Sequence, residues 1–85
     1  MKQVTFGEHA LFQMRERKID RGVVEYTINH AEQKRAQLSG RVQAVRRLWL
    51  GQKRYCIVVV YENLQKHRHV VTVFITSKVK KYFRP

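Results

Sequence analysis

The run from Tyr55 to Tyr61, Tyr-Cys-Ile-Val-Val-Val-Tyr, constrains the fold of this chain more than any other segment. It is almost entirely apolar and rich in β-branched residues, which favours a strand that is covered on both faces. The chain has only 85 residues, a length that allows one domain with one core. We therefore expect this strand to lie at the centre of a single domain over residues 1–85.

Length and composition also exclude several classes of protein. A chain of 85 residues is too short for a Rossmann unit, a TIM barrel or a two-domain enzyme. Hydrophobic residues make up 44% of it, which is typical of a folding sequence rather than a disordered tail. The single cysteine, Cys56, excludes a disulfide framework and fits a reducing compartment. No apolar run approaches the ~20 residues of a membrane-spanning helix, and the N-terminal residues Met1–Gly7 lack the apolar region of a signal peptide, so we expect a cytoplasmic protein.

The first third of the chain predicts two helices. Residues Thr5-Phe6-Gly7-Glu8 have the form of a capping box, which predicts a helix over about residues 6–18 with Thr5 as its N-cap. Asp20 is expected to cap a second helix that ends near Asn29-His30. The apolar positions of the two helices are Ala10, Leu11 and Met14, and then Val23, Val24, Thr27, Ile28 and Ala31.

From residue 34 the hydrophobic period changes to two, which predicts strands. Ser39-Gly40 and Gly51-Gln52-Lys53 are turn signals, and residues 62–68 form a polar loop. The strand-like runs begin at residue 34 and continue over Val42–Leu50, Tyr55–Tyr61 and Val70–Thr76. Lys78–Arg84 is expected to form a final helical turn or a tail, with Val79, Tyr82 and Phe83 as its anchors. The fold class is therefore α+β, with two N-terminal helices packed on a four-stranded antiparallel sheet.

One irregularity interrupts the second of these runs. Val42, Ala44, Leu48 and Leu50 share one parity, but Arg46 stands where a fifth apolar residue is expected. A β-bulge near Arg46-Arg47 would account for the break, because a bulge changes the face on which later side chains lie.

Positive charge is concentrated in one part of the sequence. The formal net charge is +12, and residues 1–32 contain as many acidic as basic residues. Residues 33–85 contain the remaining basic residues and one acid, Glu62. A field this one-sided attracts a polyanion, of which nucleic acid is the commonest. An acidic protein such as an antitoxin or inhibitor is the second candidate partner, whereas no basic helix has the wide apolar face that membrane binding needs.

Basic residues and aromatic residues alternate in the predicted sheet. Lysine and arginine neutralise phosphates, and an aromatic face can stack on an unpaired base. The candidate nucleic-acid-binding residues, close to Trp49 and Tyr55, are Arg35, Arg41, Arg46, Arg47, Lys53 and Arg54. The alternative is a solvated sheet edge that charge keeps soluble. For Trp49 itself we expect packing in the core or on the sheet rather than base stacking.

His9 and Arg17 are the residues most suited to chemistry. His9, Gln13 and Arg17 follow at i, i+4 and i+8, so they form a row on one side of the first predicted helix. Metal-independent cleavage of RNA needs a base, a cation beside the phosphate and an acid for the leaving oxygen. A histidine and an arginine supply the first two. The alternative is that both are ordinary solvated residues of a helix surface.

The other reactive side chains favour structural roles. His67 and His69 form a His-x-His pair without an evident third metal ligand, so neither a metal nor another cofactor is expected. His67 is expected in the loop and His69 at a strand edge. Cys56 lies within an apolar strand and is expected to be a buried small residue. Glu62 is expected to pair with a nearby cation, with a role as a base as the alternative.

The sequence resembles a bacterial family that is itself called a domain of unknown function. The resemblance lies in His9-Ala10, Met14-Arg15-Glu16-Arg17 and Ile19 near the start, and in the run from Val71 to Lys78 with Tyr82 near the end. That family is similar to the RelE/ParE-type toxins of the barnase–EndoU–colicin–RelE nuclease fold. The resemblance implies metal-independent RNA cleavage by a toxin that an acidic antitoxin neutralises. It also implies the candidate catalytic residues His9, Arg17, Thr76, Lys78 and Tyr82.

Several functions remain open at this point. The first is a metal-independent endoribonuclease or toxin-like protein that acts on RNA, free or on the ribosome. The second is a nucleic-acid-binding module without catalysis. The third is a ParE-like toxin that blocks a protein target such as gyrase, and the fourth is a basic scaffold for an acidic protein. A homodimer through an exposed edge strand is compatible with each of them.

Overall fold

Two N-terminal helices and a five-stranded sheet form the body of the protein over residues 3–82, the part that the computed structural model describes. The elements follow in the order β1 (Gln3–Phe6), α1 (Glu8–Arg17), α2 (Arg21–Asn29), β2 (Gln33–Ala36), β3 (Arg41–Leu50), β4 (Lys53–Asn63), β5 (His67–Thr76) and α3 (Val79–Tyr82). The predicted α+β class and pair of N-terminal helices are confirmed. Within residues 3–82, no helix is long and apolar enough to cross a membrane.

The sheet has the strand order β1-β5-β4-β3-β2, so β4 lies at its centre as predicted. Strands β2 to β5 form an antiparallel meander. Gly40 and Gly51 occupy the turns on either side of β3 with φ of 85° and 65°, a conformation that favours glycine. The polar loop is shorter than predicted, because β4 extends to Asn63 and β5 already begins at His67.

Strand β1 is the element that the sequence pattern does not predict. It pairs in parallel with the first residues of β5, and its four residues are too few to show a clear period. The predicted capping box at Thr5 is therefore wrong. Thr5 lies within the strand, where its Oγ1 is 2.8 Å from Nδ1 of His69, and Gly7 is the N-cap of α1.

Helices α1 and α2 cover one face of the sheet, which we call the helix face. Asp20 is the N-cap of α2, and the helix ends at Asn29, both as predicted. The buried residues between the helices and this face form the main core, which contains Ala10, Met14, Ile19, Val24, Ile28, Ala44, Ile57, Val59, Tyr61, Val70 and Val73. Because this one cluster contains residues of both helices and of three strands, the two helices and the sheet share one core.

The opposite face of the sheet, which we call the α3 face, carries a smaller cluster. Val45, Cys56 and Val58 are buried there, and Val79 and Tyr82 of α3 pack against them. The predicted C-terminal helical turn and two of its anchors are thus confirmed, whereas the third, Phe83, lies outside the described residues. Because the two clusters lie on opposite faces of β4, this strand is buried from both sides, as its composition predicts.

The predicted bulge at Arg46-Arg47 is wrong. β3 and β4 pair in continuous register from Arg41 to Leu50, and the irregularity lies instead between Val60 and Tyr61, where β4 pairs with β5. Arg46 interrupts the apolar positions of the helix face because its guanidinium lies over the ring of Tyr26, 4.7 Å from the centroid. A cation on an aromatic face takes the place of an apolar contact.

The double burial of β4 generates a first prediction. Ile57→Ala should lower the free energy of unfolding by about 2–5 kcal/mol, because Ile57 is fully buried and its truncation leaves a cavity in the core. Leu38→Ala should change it by less than about 0.5 kcal/mol, because Leu38 is fully exposed in a turn. Urea denaturation followed by circular dichroism measures both, and equal losses for the two variants would contradict this account of the core.

Candidate nucleic-acid interface

A groove lies between α1 and β5. Because β1 pairs only with the first residues of β5, α1 lies along the remainder of that strand. Gln13 of α1 pairs with a backbone N–H of β5, since its Oε1 accepts a hydrogen bond from the N–H of Val73 at 2.9 Å. The groove has a volume of about 380 Å³ and is lined by His9, Phe12, Gln13, Glu16, Arg17, Val73 and Phe74.

The predicted row on α1 is confirmed by this arrangement. His9, Gln13 and Arg17 all line the same groove, and both His9 and Arg17 are exposed to solvent. Arg17 is the last residue of α1, because Lys18 adopts the left-handed conformation with φ of 54° and ends the helix. Arg17, at the end of α1, and His9, near its start, therefore line the same groove.

Thr76, Lys78 and Tyr82 lie outside the lining of this groove. The Thr76 hydroxyl accepts a hydrogen bond from the backbone N–H of Lys78 at 3.1 Å, at the point where the chain leaves β5. The ring of Tyr82 packs edge-to-face on Phe74 with 5.4 Å between centroids, and Phe74 in turn lines the groove. The structure thus places His9 and Arg17 along one groove, about 12 Å apart along the axis of α1, and Tyr82 contacts that groove through Phe74.

The six predicted nucleic-acid-binding residues are divided between the two faces of the sheet. Cross-strand register places four of them on the α3 face, namely Arg35, Arg41, Arg47 and Arg54. Arg46 and Lys53 lie on the helix face. Arg46 contacts the ring of Tyr26, and Nζ of Lys53 is 5.6 Å from the ring centroid of Tyr55. The six side chains therefore do not form a single patch.

Cations from several elements instead meet at one end of the sheet. Because the strands are antiparallel, β3 and β5 end and β4 begins at the same end of the sheet. We call this region the basic end; its residues are Arg17, Lys18, Lys53, Arg54, Lys78, Lys80 and Lys81. Arg54 shares a concavity of about 580 Å³ with the three lysines of the C-terminal segment. Positive charges gathered at one end of the sheet attract the phosphates of a polyanion.

Trp49 lies on β3 at the surface of the sheet, so of its two expected positions, in the core or on the sheet, the core is wrong. Its side chain is 63% exposed, and the guanidinium of Arg54 lies 5.3 Å from its ring centroid. The physical reason is its position near the end of β3. The buried cluster under α3 comprises Val45, Cys56 and Val58 and does not extend to Trp49.

Arg47 is held by Glu32, a residue that the sequence does not single out. Oε2 of Glu32 lies 2.7 Å from Nη2 of Arg47, and Oε1 accepts a hydrogen bond from the backbone N–H of Arg47 at 2.7 Å. The side-chain hydrogen bonds from Arg47 hold the pKa of the Glu32 carboxyl below its ordinary value, and they raise the pKa of Arg47. The pair partly neutralises one of the four arginines on the α3 face.

The two histidines of β5, Cys56 and Glu62 lie within the strands of the sheet. His67 lies in β5 rather than in the predicted loop, and its ring centroid is 6.5 Å from that of His69. Across residues 3–82, no group of three or more His, Cys, Asp or Glu side chains is placed to hold a metal ion. Cys56 is fully buried as predicted, and burial raises the pKa of its thiol. Glu62 pairs in register with Arg41 on one side and with His69 on the other.

Sequence reasoning missed several residues of the groove and of the basic end. Phe12 and Glu16 stand three and seven residues after His9, so helical spacing could have placed them with it. Lys80 and Lys81 belong to a segment that the sequence predicts only as a short helical turn. Phe74 gives no signal in the sequence, because its role depends on where α1 and α3 pack.

The family of the chain follows from the match of residues 6–75 to the domain of unknown function DUF4258. The chain belongs to the DUF4258 family. The matched residues include His9 and Arg17, whereas Thr76, Lys78 and Tyr82 follow the DUF4258 match. No curated protein and no solved structure matches the chain significantly.

The contact between Gln13 and Val73 generates a second prediction. Gln13→Ala should lower the free energy of unfolding by about 1–3 kcal/mol, because it leaves the amide of a buried residue without its acceptor. Gln13→Glu keeps an acceptor oxygen and should lose less. Hydrogen exchange at the Val73 amide gives a local measurement. Unchanged protection of that amide in Gln13→Ala would contradict the proposed contact.

The pair of Glu32 and Arg47 generates a prediction about pH. Because the pKa of Glu32 is lower in the folded state than the ordinary 4.5, the pair stabilises the fold above pH 4.5. This stabilisation is lost as the pH falls through the folded-state pKa. Glu32→Gln should therefore melt slightly below the wild type at pH 7, and the difference should be smaller at pH 3.

Differential scanning fluorimetry at the two pH values measures this difference. Because both side chains are partly exposed, 1 M NaCl should also reduce it at pH 7. A difference between wild type and variant that persists unchanged at pH 3 would contradict an electrostatic origin.

Proposed function

We propose that this protein binds RNA through its basic end and cleaves it without a metal ion at the groove between α1 and β5. The observation that carries the proposal is that His9 and Arg17 share one solvent-exposed groove whose mouth adjoins the basic end. A base and a phosphate-binding cation then lie beside a surface that concentrates a polyanion. The net charge of +12 supplies the long-range attraction.

The basic end provides the contacts to the phosphates. If about six phosphates of a single strand are neutralised, the logarithm of the binding constant should fall with the logarithm of salt concentration with a slope of about −4. Arg54 and the lysines of the C-terminal segment are exposed cations of the kind that contact a phosphate backbone. They position the strand and do not select its sequence.

The groove provides the groups for the chemistry. His9 would accept the proton of a ribose 2′-hydroxyl while the 2′-oxygen attacks the adjacent phosphorus. The bond from phosphorus to the 5′-oxygen then breaks, which leaves a 2′,3′-cyclic phosphate and a 5′-hydroxyl. Arg17 would stabilise the negative charge on the phosphoryl oxygens, because a guanidinium can donate two parallel hydrogen bonds.

An acid must protonate the leaving 5′-oxygen, and Lys78 and Tyr82 are the candidates for this role. Tyr82 contacts Phe74, a wall of the groove, and Lys78 stands at the end of β5 beside Thr76. The Thr76 hydroxyl fixes the turn that carries Lys78 and would therefore act as a positioning residue. This division of roles agrees with the resemblance to the RelE/ParE-type toxins, from which an acidic antitoxin is also proposed as a partner.

The test is an assay of RNA cleavage in EDTA with matched histidine variants. His9→Ala should slow cleavage by about 10²–10⁴-fold, the usual contribution of a general base. His30→Ala is the control, because His30 is exposed at the end of α2 and contacts Tyr26 outside the groove. Arg17→Ala should also slow cleavage, and Lys78→Ala and Tyr82→Phe identify the acid. Cleavage that is equal in His9→Ala and His30→Ala would overturn the assignment of His9.

A non-catalytic nucleic-acid-binding module is the second candidate function. The observation that favours it is the separation of the candidate acid Tyr82 from the groove by Phe74. Salt-dependent binding of RNA that stays intact in the presence and absence of EDTA would select this function. Inhibition of supercoiling by gyrase with intact RNA would select a ParE-like toxin instead.

A further inference from the structure

We propose that Trp49 and Arg54 form a binding site for one unpaired nucleobase, beside the pair of Glu32 and Arg47. The site rests on the proposed binding of RNA and adds to it a subsite with a defined chemistry. These four residues line a concavity of about 340 Å³ on the α3 face.

The exposure of Trp49 is the first argument. Its side chain is 63% exposed, although a tryptophan is among the most costly side chains to leave in water. The next residues on the same face, Arg47 and Arg54, are charged, so neither covers the ring with an apolar side chain. A flat ring presented in this way can stack on any of the four bases, since every base has a π-face.

The cation over the ring is the second argument. The guanidinium of Arg54 lies 5.3 Å from the centroid of Trp49, a cation–π contact. Arg54 also lines the concavity that contains Lys78, Lys80 and Lys81. One side chain therefore contacts the stacking ring and connects it to the cations that bind phosphates.

Continuity with the groove is the third argument. On its other side, Trp49 borders a concavity that it shares with Arg17 and Lys18. Arg17 also lines the groove that contains His9. A single strand whose scissile phosphate lies at Arg17 can thus place a neighbouring base on Trp49 without leaving the basic end.

The pair of Glu32 and Arg47 forms the wall of the site. The carboxylate of Glu32 accepts hydrogen bonds from both the side chain and the backbone of Arg47, which holds Arg47 against β3. Because the Glu32 carboxylate already pairs with Arg47, this wall attracts a phosphate or an acidic side chain less than an unpaired arginine would, and its oxygens can accept hydrogen bonds from an uncharged base. This charge pattern is the reason to prefer a nucleobase over an acidic peptide as the occupant.

Trp49 is the only tryptophan of the chain, so its fluorescence reports on this site directly. The probe is a single-stranded 2′-O-methyl octauridylate, which cannot be cleaved by attack of a 2′-hydroxyl. Titration should quench Trp49 to saturation, whereas an abasic octamer of the same charge should bind without quenching. Anisotropy of a labelled octamer measures the affinity of the variants that lack the fluorophore.

Substitution gives the quantitative test. Trp49→Ala should weaken binding of the octauridylate by about 5- to 150-fold, the range measured for loss of one stacked base. Trp49→Phe should retain most of the affinity. Leu38→Ala should retain all of it, because Leu38 is exposed in the turn before β3, at the opposite end of the sheet from Trp49. The abasic octamer should bind Trp49→Ala and wild type equally.

Each contrary result has a distinct meaning. Equal binding of the octauridylate by wild type and Trp49→Ala would overturn the base site and leave the proposed RNA binding intact. Absence of binding by folded wild-type protein would overturn both proposals. Quenching by an octaglutamate peptide, without quenching by the octauridylate, would overturn the base site in favour of an acidic peptide.

Discussion

The burial of β4 on both faces is the constraint on which the rest of the structure depends. Ile57 and Val59 point into the core under α1 and α2, whereas Cys56 and Val58 point under α3. A strand with no polar face must be covered twice, so helices are required on one side and the C-terminal turn on the other. In a chain of 85 residues this leaves little apolar surface to cover the ends of the sheet.

The uncovered end of the sheet is where charge and aromatic surface collect. Antiparallel pairing brings the end of β3, the start of β4 and the end of β5 to one edge. Trp49 and Arg54 face each other there, and α1 ends beside them with Arg17. The same topology that builds the core therefore gathers cations from distant parts of the sequence into one surface.

Much of the fold was predictable because its signals are local. Turn glycines at Gly40 and Gly51, the N-cap at Asp20 and the apolar run of β4 each act within a few residues. The errors arose where a local pattern competes with a distant partner. Thr5 has the sequence of a helix cap, but its hydroxyl contacts His69, which is 64 residues away in the chain.

The candidate site was predictable only in part, for the same reason. Helical spacing was sufficient to place His9, Gln13 and Arg17 together, because one helix fixes their relation. It was not sufficient for Phe74 and Tyr82, whose contact needs α3 to fold over the sheet. Nor could the sequence show that Arg46 and Lys53 lie on the opposite face of the sheet from the four arginines of the α3 face. The alternation of side chains along a strand assigns them to faces only once the pairing register is known.

The sequence by itself determined the α+β class, the central strand, the two helices and the excess of positive charge. It did so because hydrophobic period, turn chemistry and composition are properties of neighbouring residues. Only the tertiary structure decided that β1 joins β5, that Trp49 stays exposed, and that Arg17, Arg54 and the C-terminal lysines meet at one end. These features depend on which surfaces the limited core can cover, and that is settled by packing between segments far apart in the chain.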